Sequence, residues 1–330
     1  MKPRDVLTWK FAFYHGFLPA LRRLGPARAD AILAILGKSS TRLWPPRKRR
    51  LAAALEFARE GLSHLSPTWN SDTLAPELAA GSLRYLARDY LLAEDNDRVL
   101  PLFDVRGEAA LNQAMANGRG VVLVGSHFGG HIAAFHWLYR MGFPLRLMVQ
   151  RPRHVTRALA AFFDQDEPRP QSGFFLTRSM DAPACVSRIL NARAALREGS
   201  AVYLPGDIPW NGPNSRSGRL LGRTHPFLSV WADLAAITSA PVFHVICTPR
   251  ENGRFALEFE PAGTIAPGRE SAAVDRYLAR LDDAIAADPA DAVAHLLWPC
   301  FGPAIKASRS PSARPSRRAA AAAASAVPAG

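Results

Sequence analysis

Apolar and polar positions change rhythm near residue 103. Before it, apolar residues recur at helical spacing in segments separated by basic turns: 9–14, then 29–36 stopped by Gly37, then 51–65, then 77–94. From residue 103 onward, helical segments alternate with short β-branched runs. The pattern predicts a helix over 108–117 ending at Gly118, a strand at 121–124, a helix through Tyr139 and a strand near 145–149. It continues with a helix at 155–163, a short strand at 174–177, a helix from about 183 to 197 behind the capping candidate Asp181, and a strand at 201–204. Such alternation predicts an α/β fold, a mostly parallel sheet flanked by helices, joined to an N-terminal helical region. Residues 207–226 show no period and are rich in Gly, Pro, Asn and Arg, which reads as a long functional loop. A helix at 230–237, a hairpin of strands 242–247 and 255–259 around Glu251-Asn252-Gly253, and a last helix at 271–286 complete the ordered part.

The stretch 118–142, GRGVVLVGSHFGGHIAAFHWLYRMG, concentrates candidate chemistry. Its β-branched run suits a central strand buried on both faces. Ser126, His127 and Phe128 follow where that strand ends, and Gly129 and Gly130 lead into a helix. Open α/β sheets bind ligands at the carboxyl ends of their strands, so His127 is the first candidate for acid–base work.

Composition narrows the setting. The 330-residue chain is 48% hydrophobic, enough for a substantial core, and carries a formal charge of +13. A basic surface attracts anions: nucleic acid, an acidic membrane or a phosphorylated substrate. Two places hold much of the charge. Residues 306–330 contain five cations, no acid and a run of Ala, Ser and Pro, which reads as a disordered basic tail. The turn Arg42 to Arg50 combines Trp44 with five cations and no acid, a mixture suited either to an anionic lipid headgroup layer or to a solvated basic helix start. No nucleic-acid motif accompanies the charge, so no specific nucleic-acid partner is expected. Cys185, Cys247 and Cys300 are few and far apart, which points away from a disulfide framework and towards a reducing compartment. The apolar run 11–21 contains His15 and ends at Arg22-Arg23, too short to span a bilayer but able to lie on one, and no cleavage site follows it.

The runs Arg106-Gly107-Glu108-Ala109-Ala110-Leu111, Gly118-Arg119-Gly120-Val121-Val122-Leu123 and Ser126-His127-Phe128-Gly129 resemble the catalytic block of the bacterial lipid A biosynthesis acyltransferases, of the lysophospholipid acyltransferase superfamily. Further stretches keep the family's order: Leu196-Arg197-Glu198-Gly199, Val202 through Asp207, Gly222-Arg223, Ala240-Pro241-Val242 and Arg254 through Glu258. The resemblance implies a glycerolipid acyltransferase-like fold, with residues 1–100 as a membrane-associating helical region, 101–305 as the acyltransferase domain and 306–330 as the tail. It also implies transfer of a fatty acyl group from acyl-CoA or acyl carrier protein to a hydroxyl of a lipid or glycolipid, with His127 as general base, at the cytoplasmic face of an anionic inner membrane. No cofactor beyond the donor is implied.

One position departs from the family. Its motif places Asp or Glu five residues after the histidine, and this chain has Ile132 there. For the family chemistry to operate, another group must accept the proton on the far nitrogen of His127: a backbone carbonyl, or an acid from elsewhere such as Asp207, which resembles an acidic position of the family's second block and reads equally as a turn residue bonding its own loop. His131 could support His127 as well, line the acceptor site or simply pack. A zinc site using His127, His131 and His136 is the lesser reading, and no metal is expected. Amides of Gly129 and Gly130 could steady an oxyanion or phosphate, or merely serve a tight turn. Arg151 and Arg153, with Arg216, Arg219 and Arg223, could pair with phosphates of donor or headgroup. The alternative to an enzyme is a non-catalytic protein of the same fold that binds lipid or a partner enzyme.

Overall fold

The computed structural model describes residues 12–92, 96–148 and 182–298. Three long helices come first: α1 (Pro26–Leu43), α2 (Pro45–Gly61) and α3 (Ser71–Leu91). The sheet-forming part then runs β1 (Phe103–Arg106), α4 (Glu108–Ala116), β2 (Val121–Gly125), α5 (His131–Arg140), β3 (Leu145–Leu147), α6 (Ala182–Arg197) and β4 (Ala201–Pro205). It continues with β5 (Ser215–Leu220), β6 (Arg223–Leu228), α7 (Val230–Thr238), β7 (Val242–Pro249), β8 (Phe255–Gly263), α8 (Glu270–Ala287) and α9 (Val293–Leu297). The fold is α/β, as the alternation indicated. Expected elements at 155–163 and 174–177 lie outside the described residues, as does the tail.

The main sheet has the order β1-β8-β7-β2-β4-β3. Strands β7, β2, β4 and β3 are mutually parallel, and β8 pairs antiparallel with β7 as the expected hairpin. Strand β2 lies near the middle and is buried throughout. Its side chains alternate between two cores. Val121 and Leu123 pack with Leu111, Leu138 and Phe243 on one face. Val122 and Val124 pack with Leu55, Leu78, Trp231 and Leu281 on the other. Apolar residues on both faces require a helical layer on each side, and the N-terminal helices α2 and α3 supply part of one. They therefore share a core with the sheet.

The chain differs from expectation at three places. Helix α3 begins at Ser71, before residue 77, because the Asn70 side chain accepts hydrogen bonds from the amides of Asp72 and Thr73. Residues 215–228 form an antiparallel hairpin instead of an irregular loop. Its two-residue turn, Leu221-Gly222, has positive φ at both positions, the geometry usually marked by Asn-Gly. Leu221 tolerates φ 51 because its side chain is buried and its amide donates to Asp282 Oδ1 at 2.9 Å. Finally, the short helix α9 follows α8, and the functional site depends on it.

Candidate active site

Strand β2 delivers the site. In the run Val121 to Gly130, His127 alone is partly exposed; every neighbour is buried. The turn beneath is held by Tyr277 of α8, whose hydroxyl donates to the Gly125 carbonyl at 2.5 Å. Strand β4 is the parallel neighbour of β2 and ends at the same level, with Gly125 opposite Pro205. Two residues beyond Pro205, Asp207 meets His127.

The contact is double. Asp207 Oδ1 lies 3.0 Å from His127 Nδ1, and Oδ2 accepts the His127 backbone amide at 2.6 Å. A third donor comes from α9: His295 Nε2 lies 2.8 Å from the same Oδ2. The Asp207 carboxylate is 0% exposed, against 22% for the His127 side chain. Burial alone would raise the Asp207 pKa, but the His127 charge and the hydrogen bonds from both histidines outweigh it and hold the carboxyl well below its usual range. Burial likewise opposes protonation of His127, yet the Asp207 carboxylate wins and raises the imidazole pKa. With an ionised Asp207 accepting at Nδ1, that nitrogen carries the ring proton, and Nε2 keeps the lone pair that a general base uses.

Aromatic groups flank this pair. The Trp298 ring lies 5.2 Å from that of His127 and is 36% exposed. His131, on the first turn of α5, lies 5.4 Å from His127 and 5.3 Å from Tyr85 of α3. Its Nδ1 is buried with no hydrogen-bond partner among the described residues. Burial, reinforced by the nearby His127 and Arg88 charges, holds its pKa well below that of free imidazole, so His131 stays neutral. His136 turns away to Asp89, with Nε2 3.0 Å from Oδ1. Among the described residues, no group of three His, Cys, Asp or Glu side chains is placed to hold a metal.

The amide role considered for Gly129 and Gly130 is taken by protein partners. Gly129 donates to the Asp291 carbonyl at 3.0 Å and Gly130 to the Cys247 carbonyl at 2.5 Å. Both glycines are required by packing against β7. A Cβ on Gly129, which has φ +54, would lie 2.3 Å from the Cys247 oxygen, and one on Gly130 would lie 2.7 Å from the Cys247 sulfur. The Gly129 carbonyl in turn accepts from the buried Arg88 of α3. Ile132 packs with the core around Phe103, Leu111 and Phe135.

The arginines fall elsewhere. Arg219 and Arg223 sit on the β5–β6 hairpin, Arg223 with its guanidinium 3.9 Å from the Phe57 ring centre and Arg219 acting on Asp282 of α8. Arg216 is an internal strut, 2.8 Å from Asp233 and 3.6 Å from Glu270. Arg151 and Arg153 lie outside the described residues. His295, Tyr85, Arg88 and Trp298 join the site without being singled out by the sequence pattern. His295 sits in the apolar run Val293-Ala294-His295-Leu296-Leu297, where a polar residue at a core position was the one available signal.

Compared with known families, residues 88–294 match the model described as bacterial lipid A biosynthesis acyltransferase. Comparison with curated proteins finds no match.

Proposed function

Because the chain belongs to the bacterial lipid A biosynthesis acyltransferase family, its chemistry is acyl transfer to a lipid acceptor, and we propose that the donor is a thioester, acyl-CoA or acyl carrier protein, and that His127 is the general base. The observation carrying this reading is the double hydrogen bond from His127 to Asp207. It locks the backbone and the ring together and leaves Nε2 free to act.

In this scheme the acceptor hydroxyl attacks the thioester carbonyl carbon while His127 Nε2 takes its proton. The new C–O bond forms and the carbonyl electron pair moves onto oxygen. Collapse of the tetrahedral intermediate breaks the C–S bond, and the imidazolium returns its proton to the departing sulfur. Asp207 stabilises the imidazolium between these steps, and His295 keeps the carboxylate in place. His131, held neutral beside the base, lines the acceptor side without competing for the proton. Both donor types are cytosolic, so the cytoplasmic face of the inner membrane is the expected place of work. Among the described residues, no helix is long and apolar enough to cross a membrane.

Purified protein is to be incubated with labelled acyl-CoA or acyl carrier protein and a panel of lysophospholipids and lipid A precursors. At least one pair is expected to give acyl product, and His127→Ala to lower kcat by about 1,000-fold or more. Product formation that survives His127→Ala would refute the assignment of the base.

A further inference from the structure

The corner between α1 and α2 leaves large apolar side chains in water. Leu43 is 85% exposed, Trp44 and Ile35 are each 62% exposed and Leu36 is 44% exposed. Leu36 and Leu43 lie seven residues apart, on one face of α1, and Trp44 follows directly at the turn into α2. Large apolar side chains exposed together at one corner of a fold mark an interaction surface.

The segment itself carries one sign of charge. Between Asp30 and Glu56 the chain has no acidic residue and six cations. Lys38 is satisfied by Glu77 at 2.6 Å. The other five, Arg42 and the run Arg47-Lys48-Arg49-Arg50, flank the exposed tryptophan along the chain. An indole and leucines rimmed by arginine and lysine complement a bilayer interface, with apolar groups entering the acyl boundary and cations meeting anionic phosphates.

The patch also connects to the site. Arg47 reaches Ser82 of α3 at 3.4 Å. One turn along α3, Tyr85 lies 5.3 Å from the His131 ring and 6.0 Å from Trp298, which covers His127 at 5.2 Å. We propose that the α1–α2 corner docks on an anionic phospholipid bilayer and holds the mouth of the active site against it, so that a lipid acceptor reaches His127 without leaving the interface. The purpose of the docking rests on acyl transfer to a lipid, but the docking itself does not need turnover to be measured.

The test is co-sedimentation of the full chain with vesicles of phosphatidylcholine alone or mixed with phosphatidylglycerol. Binding is expected to the mixed vesicles and to weaken with salt. Arg49→Ala with Arg50→Ala should weaken it by about 30-fold, from roughly one unit of surface attraction per cation. Leu43→Ser with Trp44→Ser should weaken it by more than about tenfold and leave the salt dependence in place. These residues are exposed, so circular dichroism should match the unsubstituted protein. Transfer to a dispersed short-chain acceptor should also be unchanged in both variants, while transfer to vesicle-embedded acceptor falls. Unaltered vesicle binding in both variants would overturn the proposal, as would a dimer in solution that Trp44→Ser dissolves, since the patch would then belong to a second copy. Vesicle binding that depends on the patch, in a protein with no transferase activity, would uphold the docking and sink the proposed function instead.

Discussion

Replacing Asp207 with Asn changes one atom and removes one charge at the centre of the site. The carboxylate accepts three hydrogen bonds, at 2.6, 3.0 and 2.8 Å, in a position with no solvent exposure. An amide offers one acceptor oxygen and an NH2 that must face a donor. If the oxygen stays on the backbone amide and His295, the NH2 faces His127 Nδ1 and drives the ring proton to Nε2, the nitrogen that has to be empty. A wrong tautomer of this kind costs about 10³–10⁴ in kcat, or roughly 4–5.5 kcal/mol of transition-state stabilisation. The pH profile gives a second reading. His127 is raised by Asp207 against the pull of burial. Without the carboxylate only the pull remains, so the acid limb of kcat/KM should move from above the free imidazole value of about 6.5 to below it. Stability follows the same linkage. The raised His127 contributes fully below about pH 6.5 and loses that contribution as pH rises through its folded pKa; the depressed Asp207 contributes fully above about pH 3.9 and loses it as pH falls through its own. The deficit of Asp207→Asn should therefore be greatest between about pH 4 and 6.5 and of the order of 3 kcal/mol, read by urea unfolding at several pH values. A variant with kcat within about tenfold of the unsubstituted protein and an unmoved acid limb would refute the role of Asp207.

Three further outcomes follow from the geometry. His295→Ala removes one donor from Asp207, concentrating its charge on His127, so kcat should fall about tenfold and the acid limb should move upward, opposite to Asp207→Asn; His295→Gln, which keeps a donor, should restore part of both. Ile132→Glu places a carboxylate at the family's motif position but in an apolar core, so it should lower unfolding stability by about 1–3 kcal/mol and fail to rescue Asp207→Asn in the transfer assay. Gly129→Ala puts a methyl 2.3 Å from the Cys247 oxygen, and should cost more than about 2 kcal/mol by thermal or urea unfolding, with the site displaced.

Much of the framework was legible from local pattern. Val121 to Val124 read as a strand buried on both faces because each of its residues is apolar, and the helix and turn signals around it set the parallel order. His127 was found as the polar residue at the end of that strand. Asp207 entered as an alternative through the end of the next strand: the motif acid is counted five residues along the chain, whereas β2 and β4 are paired neighbours whose ends meet across 80 residues. The β5–β6 hairpin was illegible because its strands, Ser215–Leu220 and Arg223–Leu228, bury few side chains and its turn carries leucine where Asn or Gly is the usual sign. His295 showed only as a polar residue in an apolar run and Arg88 gave no signal, since a buried polar residue acquires meaning from what packs beside it: Asp207 for His295 and the Gly129 carbonyl for Arg88.

The third donor to Asp207 also sets a clock on synthesis. His295 follows Asp207 by 88 residues. At roughly 5–20 residues per second, about 4–18 s separate their emergence, and in that interval the carboxylate exists without one of its three anchors. A nascent chain can build β2 and β4 and bring His127 to Asp207, yet α9 must still arrive before the buried charge is fully held. The late arrival of one histidine thus places completion of the Asp207 hydrogen-bond set after β2 and β4 have met, and later still than the emergence of the basic α1–α2 corner.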